Sequence, residues 1–192
     1  MFTQNTNQPS AQQGKAAGQQ TGAGDFFAQP YNHDEEGFNF STEEEYEQKS
    51  SQCRDSFNLP VEEFYIYYVG GNIEINEIFG ACRVDQSNFG QFLAIIEDVP
   101  EDQWPDLFYL CDSIGYDMGQ AVAKLGDVSI FRGCLEDAAK DWFDECYLYR
   151  IPEEVQIYID YEAFARDRQL EGEMYEFGFA GDTFTCTNAN GL

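Results

Sequence analysis

The sequence is poor in the side chains that most often catalyse reactions or bind metals. Its 192 residues include one histidine, His33, and none of its six cysteines forms a CxxC pair. A Ser-His-Asp or Cys-His arrangement would depend on His33 alone, which lies in the polar stretch NHDEEG, typical of a surface loop. No phosphate-binding glycine loop, EF-hand loop or HExxH motif occurs. We therefore predict no catalytic residue, no metal site and no cofactor, and we expect reduced thiols.

Basic residues and long apolar runs are also scarce. The chain has 10 Lys and Arg against 36 Asp and Glu, a net charge of −26. Such a chain repels phosphates, which excludes direct nucleic-acid binding through a basic patch, and it is repelled by anionic membranes. No stretch approaches the roughly 18 apolar residues of a transmembrane helix, and the N-terminus lacks the apolar core of a signal peptide. We predict a cytoplasmic protein.

Aromatic residues are plentiful, which separates this chain from a disordered acidic tail. They make up 16% of the sequence, and 43% of all residues are hydrophobic, so the acidic chain is expected to fold. Residues 1–24 differ, because they are rich in Gln, Gly and Ala and carry Lys15 as their only charged side chain. We predict a disordered leader there. The remaining 168 residues hold all 36 acids and nine bases.

Turn and periodicity signals divide the rest of the chain into three parts. Residues 25–71 predict a small α/β module, with strands in DFFAQPYN, GFNF and VEEFYIYYVGG and a helix capped by Ser41 that runs to about Phe57. Residues 72–127 predict a mainly helical module, with Asn88 capping one helix and Gly115 ending another. For residues 128–192 the pattern predicts a strand in DVSIFRG, two helices and a closing pair of strands. The fold class is α+β, an elongated acidic protein of small α/β modules with a helical middle region.

The stretch CLEDAAKDWFDECY, from residue 134, has two distinct helical faces. Leu135, Ala138, Ala139, Trp142 and Cys146 share one face and are predicted to be core, while Asp137, Asp141, Asp144 and Glu145 lie on another face. Carboxylates four residues apart on such a helix rise about 6 Å per step. Two such rows could approximate a line of phosphates.

The amount of acid exceeds what solubility requires, which is a net charge of about 2 to 8 for a small domain. A folded body of this size exposes roughly 8,500 Å², so its mean charge density is about a third of that of duplex DNA. One explanation is a partner whose basic groove normally holds nucleic acid. Adaptation to high salt, or a generic acidic protein-binding module, would also give an acidic surface. An enzyme would instead depend on one indispensable side chain.

The C-terminal third contains a specific resemblance. The stretches CLEDAAKDWFDECY and IPEEVQIYIDYEAFARDRQLEGEMYEF, within residues 134–177, resemble the ArdA antirestriction proteins, and IDYEAFARD is their most specific part. Residues 135–147 correspond in position to that family's antirestriction motif. Arg168 departs from the pattern, because an apolar residue usually follows the ARD of the family. The earlier chain matches only loosely.

The resemblance implies an acidic homodimer that mimics bent DNA and occupies the DNA-binding groove of a type I restriction-modification enzyme. Such a protein would be encoded by a phage or mobile element, act in the bacterial cytoplasm and perform no chemistry. A CRISPR effector presents a comparable groove, so an anti-CRISPR role is the alternative. The predicted partner-binding acids are Glu136, Asp137, Asp141, Asp144, Glu145, Glu153, Glu154 and Asp160.

Each of these acids has a simpler interpretation, as part of a solvated helix face. Asp160 and Asp167 could equally be helix caps or partners of Arg166. Tyr158, Tyr161 and Phe164 are predicted to be core or dimer interface.

Overall fold

The computed structural model describes residues 25–32 and 35–192. The predicted leader, residues 1–24, and His33 lie outside the described residues. Within them the protein has eight α-helices and two three-stranded antiparallel sheets, which confirms the α+β class.

The first sheet comes from the N-terminal part of the chain. Its strands are β1 (Phe26–Pro30), β2 (Phe38–Phe40) and β3 (Phe64–Tyr68), in the order β2-β1-β3. Alternation along β1 buries Phe26, Ala28 and Pro30. These residues face the core because successive side chains of a strand point to opposite sides of the sheet.

Helix α1 (Glu43–Ser50) begins and ends differently from the sequence prediction. The N-cap is Thr42 rather than Ser41: the Thr42 hydroxyl accepts the Glu45 N–H, and the Glu45 carboxylate accepts the Ser41 N–H. The helix stops seven residues before Phe57, because a turn follows in which the Asp55 carboxylate accepts the N–H groups of Phe57 and Leu59. Local side-chain hydrogen bonds of this kind compete with helix continuation.

The middle of the chain is helical, as predicted, and contains α2 (Ile73–Ala81), α3 (Phe89–Asp98), α4 (Trp104–Tyr109) and α5 (Met118–Lys124). A π-helical segment, Leu110–Ile114, prolongs α4 and ends at Gly115, whose positive φ of 85° favours glycine. Asn88 occupies the N-cap position of α3 but does not cap it through its side chain. Its side-chain oxygen accepts the Asp85 N–H instead.

The second sheet comes from the C-terminal part of the chain. Its strands are β4 (Ile130–Arg132), β5 (Tyr175–Phe179) and β6 (Asp182–Cys186), in the order β4-β6-β5. Between β4 and β5 the chain forms α6 (Leu135–Cys146), the short α7 (Glu153–Gln156) and α8 (Tyr161–Leu170).

Two hydrophobic clusters hold these elements together. The larger one is continuous from Phe26 in the first sheet, through Phe92 and Leu107, to Phe184 in the second sheet. The smaller one joins α6, α8 and the start of β5 through Ala139, Ala165 and Met174. The predicted boundaries after residues 71 and 127 fall between β3 and α2 and between α5 and β4, and the division into separate modules stays a prediction.

Candidate protein-binding surface

Helix α6 carries five of the eight acids predicted to bind a partner. Ala138 and Ala139 are buried, and Leu135, Trp142 and Cys146 are half-buried on the same side, which matches the predicted core face. At the first turn, the Leu135 N–H donates to the Glu176 carboxylate of β5 at 2.6 Å. This contact replaces a side-chain cap, because the preceding Cys134 provides none.

Helix α8 packs across α6 and sets its orientation. The Trp142 and Phe164 rings stack with their centroids 5.9 Å apart, and Phe143 meets Phe164 edge-on at 5.0 Å. Ala139 and Ala165 lie buried in the same cluster. Their small side chains allow close approach of the two helices, so the polar side of α6 faces solvent.

Four of the predicted acids form the exposed side of α6: Glu136, Asp137, Asp141 and Glu145. None of them forms an ion pair with another described residue. Asp137, Asp141 and Glu145 follow one another at four-residue intervals and therefore rise about 6 Å per step. A DNA strand rises about 3.4 Å per phosphate, so this row carries roughly half the linear charge density of one strand.

Asp144 differs from those four because its carboxylate is held within the protein. It accepts hydrogen bonds from Lys140 of the same helix and, at 2.6 Å, from the Tyr161 hydroxyl of α8. The Lys140 and Tyr161 hydrogen bonds lower the pKa of Asp144, in that order of importance. Lys140 also lies over the Tyr161 ring, 4.9 Å from its centroid. Asp144 thus links α6 to α8 and is less available to a partner.

The remaining three predicted acids lie outside α6. Glu153 and Glu154 are exposed in the first turn of α7, directly after Pro152. Asp160 is the N-cap of α8 and accepts the Ala163 N–H at 2.9 Å. The capping role that the sequence left open for Asp160 is therefore observed, although its side chain is also exposed.

Arg166 and Arg168 have different environments despite their proximity. Arg168 is largely buried and pairs with Glu171 and Glu173, each at 2.6 Å, while its guanidinium lies 5.3 Å from the Phe164 ring centroid. Arg166 is exposed and forms no ion pair with a described residue, so neither Asp160 nor Asp167 is its partner. The departure from the family pattern at Arg168 therefore has a structural role in the turn between α8 and β5.

The segment between α6 and α8 exposes apolar side chains. Tyr149, Ile157 and Tyr158 are 70%, 79% and 78% exposed. Tyr158 was predicted to be core or interface, and its exposure shows that it is not core. Tyr161 and Phe164 are half-buried against α6.

Acidic charge is not confined to α6. Residues 25–71 contain 11 acids and two bases, residues 72–127 contain 11 and two, and residues 128–192 contain 14 and five. Each part therefore has a net charge of −9. The sequence prediction placed every partner-binding acid in the last part, although these counts already showed an equal excess in the other two.

The described residues show no arrangement suited to metal chemistry. No group of three or more His, Cys, Asp and Glu side chains among them is placed to hold a metal ion. All six cysteines are free, and the closest pair, Cys82 and Cys111, lies buried with its sulfurs 3.5 Å apart. Within the same residues, no helix has both the length and the apolar character needed to cross a membrane.

Comparison with known protein families shows a relationship that covers most of the chain. A search of curated proteins finds no match. The family model of the antirestriction protein ArdA matches residues 23–180. This range includes helices α1 to α8 and strands β1 to β5, and it ends just before β6. The match thus extends far beyond the C-terminal stretch that carried the resemblance, and it favours antirestriction over an anti-CRISPR role. The chain belongs to the ArdA antirestriction family.

Proposed function

We propose that this protein inhibits a type I restriction-modification enzyme by occupying its DNA-binding groove with the acidic surface that includes α6. The observation that carries this proposal is the row of exposed carboxylates on α6 that have no ionic partner within the described residues. A solvated carboxylate without a partner is free to meet the Lys and Arg side chains that normally contact phosphates. The protein would act as a ligand, without catalysis, in the cytoplasm of a bacterium entered by a phage or mobile element.

The spread of charge supports binding over a long surface. With a net charge of −9 in each third of the folded chain, long-range attraction towards a basic groove does not depend on one helix. The carboxylates on α6 are then spaced so that they meet successive cations of the groove. The other acids strengthen the long-range attraction towards the groove and the affinity for it. Restriction enzymes contact DNA over many phosphates, so a short acidic patch would be a weak competitor.

We further propose that the active form is a homodimer joined through Tyr149, Ile157 and Tyr158. Exposed apolar side chains within one short segment of an otherwise acidic protein are typical of an interface. The test is the molar mass in solution by light scattering. Ile157→Glu should shift the protein to monomer, whereas Leu170→Glu, at an equally exposed leucine, should leave the mass unchanged.

The central experiment measures competition with DNA. The full-length protein is titrated into a purified type I restriction-modification enzyme bound to labelled duplex DNA, at low and at high salt. We expect stoichiometric displacement of the DNA, loss of cleavage, and an inhibition constant that rises steeply with salt. Inhibition with the DNA still bound would contradict the proposal. So would the loss of inhibition, with binding retained, after one carboxylate is changed to an amide, because that result indicates an enzyme.

A further inference from the structure

A groove of about 1060 Å³ opens between α1 and α3, far from the acids of α6 in the sequence. One wall is the chain around the α1 N-terminus, including Thr42, Glu43 and Glu44. The other wall is a stripe of α3 formed by Gly90, Leu93, Ala94 and Glu97, which recur at i, i+3, i+4 and i+7. None of the described residues that line the groove belongs to the antirestriction motif at residues 135–147.

Part of the lining of the groove is apolar. Leu93 and Ile96 are half-buried, Val99 is buried and Ala94 is exposed. Trp104 also lines the groove, and its indole N–H is already used, since it donates to the Val99 carbonyl oxygen at 3.1 Å. These residues offer aliphatic and aromatic surface, which favours an occupant with an apolar side.

The rim of the groove is acidic. Five carboxylates line it: Asp25, Glu43, Glu44, Glu97 and Glu101. No Lys, Arg or His is among the described lining residues, and none of the five acids forms an ion pair with a described residue. These acids stand on both walls, so an occupant meets negative charge on each side.

Gly90 brings one of these acids over the opposite wall. A Cβ atom at Gly90 would lie 2.5 Å from both carboxylate oxygens of Glu43. The missing side chain thus lets Glu43 of α1 lie against the first turn of α3, where the exposed N–H groups favour an anion. Contact between the two helices therefore fixes the position of Glu43 on the rim.

From this groove we infer a docking site for a basic amphipathic α-helix of the target protein, an inference that rests on the proposed function. One turn of an α-helix with its side chains fills roughly 420 Å³, so the groove has room for about two turns. The apolar side of such a helix would cover Leu93, Ile96 and Ala94, and its Lys or Arg side chains would reach Glu43 and Glu97. DNA presents a comparable arrangement, because its major groove admits an α-helix between two rows of phosphates. The mimicry thus includes a groove as well as a row of charges.

The test uses the full-length protein and a labelled peptide of about 18 residues that forms an amphipathic helix of Leu, Ala, Lys and Arg. Binding is measured by fluorescence anisotropy at physiological salt. A second peptide has the same composition in scrambled order, so that it has the same charge without an apolar side. We expect the amphipathic peptide to bind at least tenfold more tightly than the scrambled one.

Two variants of α3 form a matched pair. Ala94→Arg places a cation in the groove, while Gln91→Arg adds the same charge at an exposed position of the same helix outside the groove. Ala94→Arg should weaken peptide binding at least tenfold and Gln91→Arg less than twofold. Equal effects of the two variants, or equal binding of both peptides, would overturn the inference, because only overall charge would then matter.

The same variants separate this inference from the proposed function. Ala94→Arg should also raise the inhibition constant in the DNA-competition assay, and Gln91→Arg should not. If the unmodified protein displaces DNA and the two variants do so equally well, the groove inference fails and the proposed function stands. If the unmodified protein leaves DNA bound to the restriction enzyme, the proposed function fails, whatever the peptide result.

Discussion

Tyr161 of α8 donates a hydrogen bond to Asp144 of α6, with 2.6 Å between the two oxygens. The contact joins α6, which carries the motif acids, to α8, and Lys140 reaches the other oxygen of the same carboxylate. One acid of the motif helix thus holds the helix in place, while its exposed neighbours Glu136, Asp137, Asp141 and Glu145 form no ion pair with a described residue.

Tyr161→Phe should therefore lower the free energy of unfolding by about 1 kcal/mol, the usual value of one hydrogen bond. The pKa of Asp144 is lowered in the folded protein, so its stabilising effect is present above the pKa of an unfolded aspartate and is lost as pH falls through the folded value. The difference between variant and original should shrink in the same window. Urea denaturation at several pH values measures this, with Tyr67→Phe at an exposed tyrosine outside the proposed interface as control. An equal loss in both variants would contradict the role given to Tyr161.

Arg168→Met should destabilise the protein by about 2 kcal/mol or more, because it leaves Glu171 and Glu173 without their cation next to the Phe164 ring. Arg166→Met is a matched control two residues away, where the side chain is exposed and has no ionic partner among the described residues. Its effect should stay within about 0.5 kcal/mol. Thermal and urea denaturation of both variants decide the point, and similar midpoints would show that Arg168 is only a surface charge.

Asp106 should make the protein more stable as the pH falls from 7 towards 4. Burial, and secondly the charge of Asp102, raise the pKa of Asp106 to about 6. An unfolded aspartate has a pKa of about 3.9, so between the two values the folded state binds a proton that the unfolded state does not, and stability rises. Above pH 6 the folded state must bury a charged carboxylate.

Asp106→Asn should flatten this pH dependence and increase stability at pH 7 by about 1 kcal/mol, a value reduced for solvent screening. Asp112→Asn removes the same charge from an exposed position and serves as control. Denaturation curves between pH 4 and 8 measure the difference between the two. If both variants change the pH profile equally, general charge repulsion is responsible and burial of Asp106 is not.

Neutralising acids on α6 should show redundancy. Single changes among Asp137→Asn, Asp141→Asn and Glu145→Gln should each weaken binding to the restriction enzyme less than about fivefold, because each screened surface pair contributes less than about 1 kcal/mol. The triple variant should lose much more and show a smaller salt dependence, since fewer counter-ions are exchanged. Competition with labelled duplex DNA measures both quantities.

The control for this experiment is a triple variant with the same charge change elsewhere: Glu62→Gln, Glu63→Gln and Asp112→Asn, all exposed. A smaller loss than for the α6 variant supports a specific role of the row on α6. An equal loss would mean that total charge alone determines affinity.

Periodicity was sufficient to predict the elements whose apolar pattern is strong. The buried face of α6, helix α8 and the strands around Phe177 and Phe184 were all expected from the sequence, because burial imposes the period directly. The ends of elements were less certain. Helix α1 stops at Ser50 because Asp55 bonds to backbone N–H groups that follow it, and no periodicity reports such a contact.

The candidate surface was predictable only in part, for a similar reason. The sequence shows which acids share a face of α6, but not that Tyr161 and Lys140 engage Asp144. The groove along Gly90 and Ala94 depends on the approach of α1 to α3, which are separate in sequence. Such contacts join segments that are distant in sequence, so the local periodicity of apolar residues does not indicate them.

The position of β6 between β4 and β5 has a consequence for synthesis of the protein. Ile130 of β4 pairs with Cys186 of β6, so β4 cannot join its sheet until roughly fifty further residues have been translated, and long-range pairing of this kind is slow. Helix α6 packs against β6, so its contact with the sheet also forms only after β6 has been synthesised. Assembly of this sheet therefore depends on the last residues to be translated, and a ribosome that stops before residue 182 releases a chain in which β4 and β5 lack the strand that joins them.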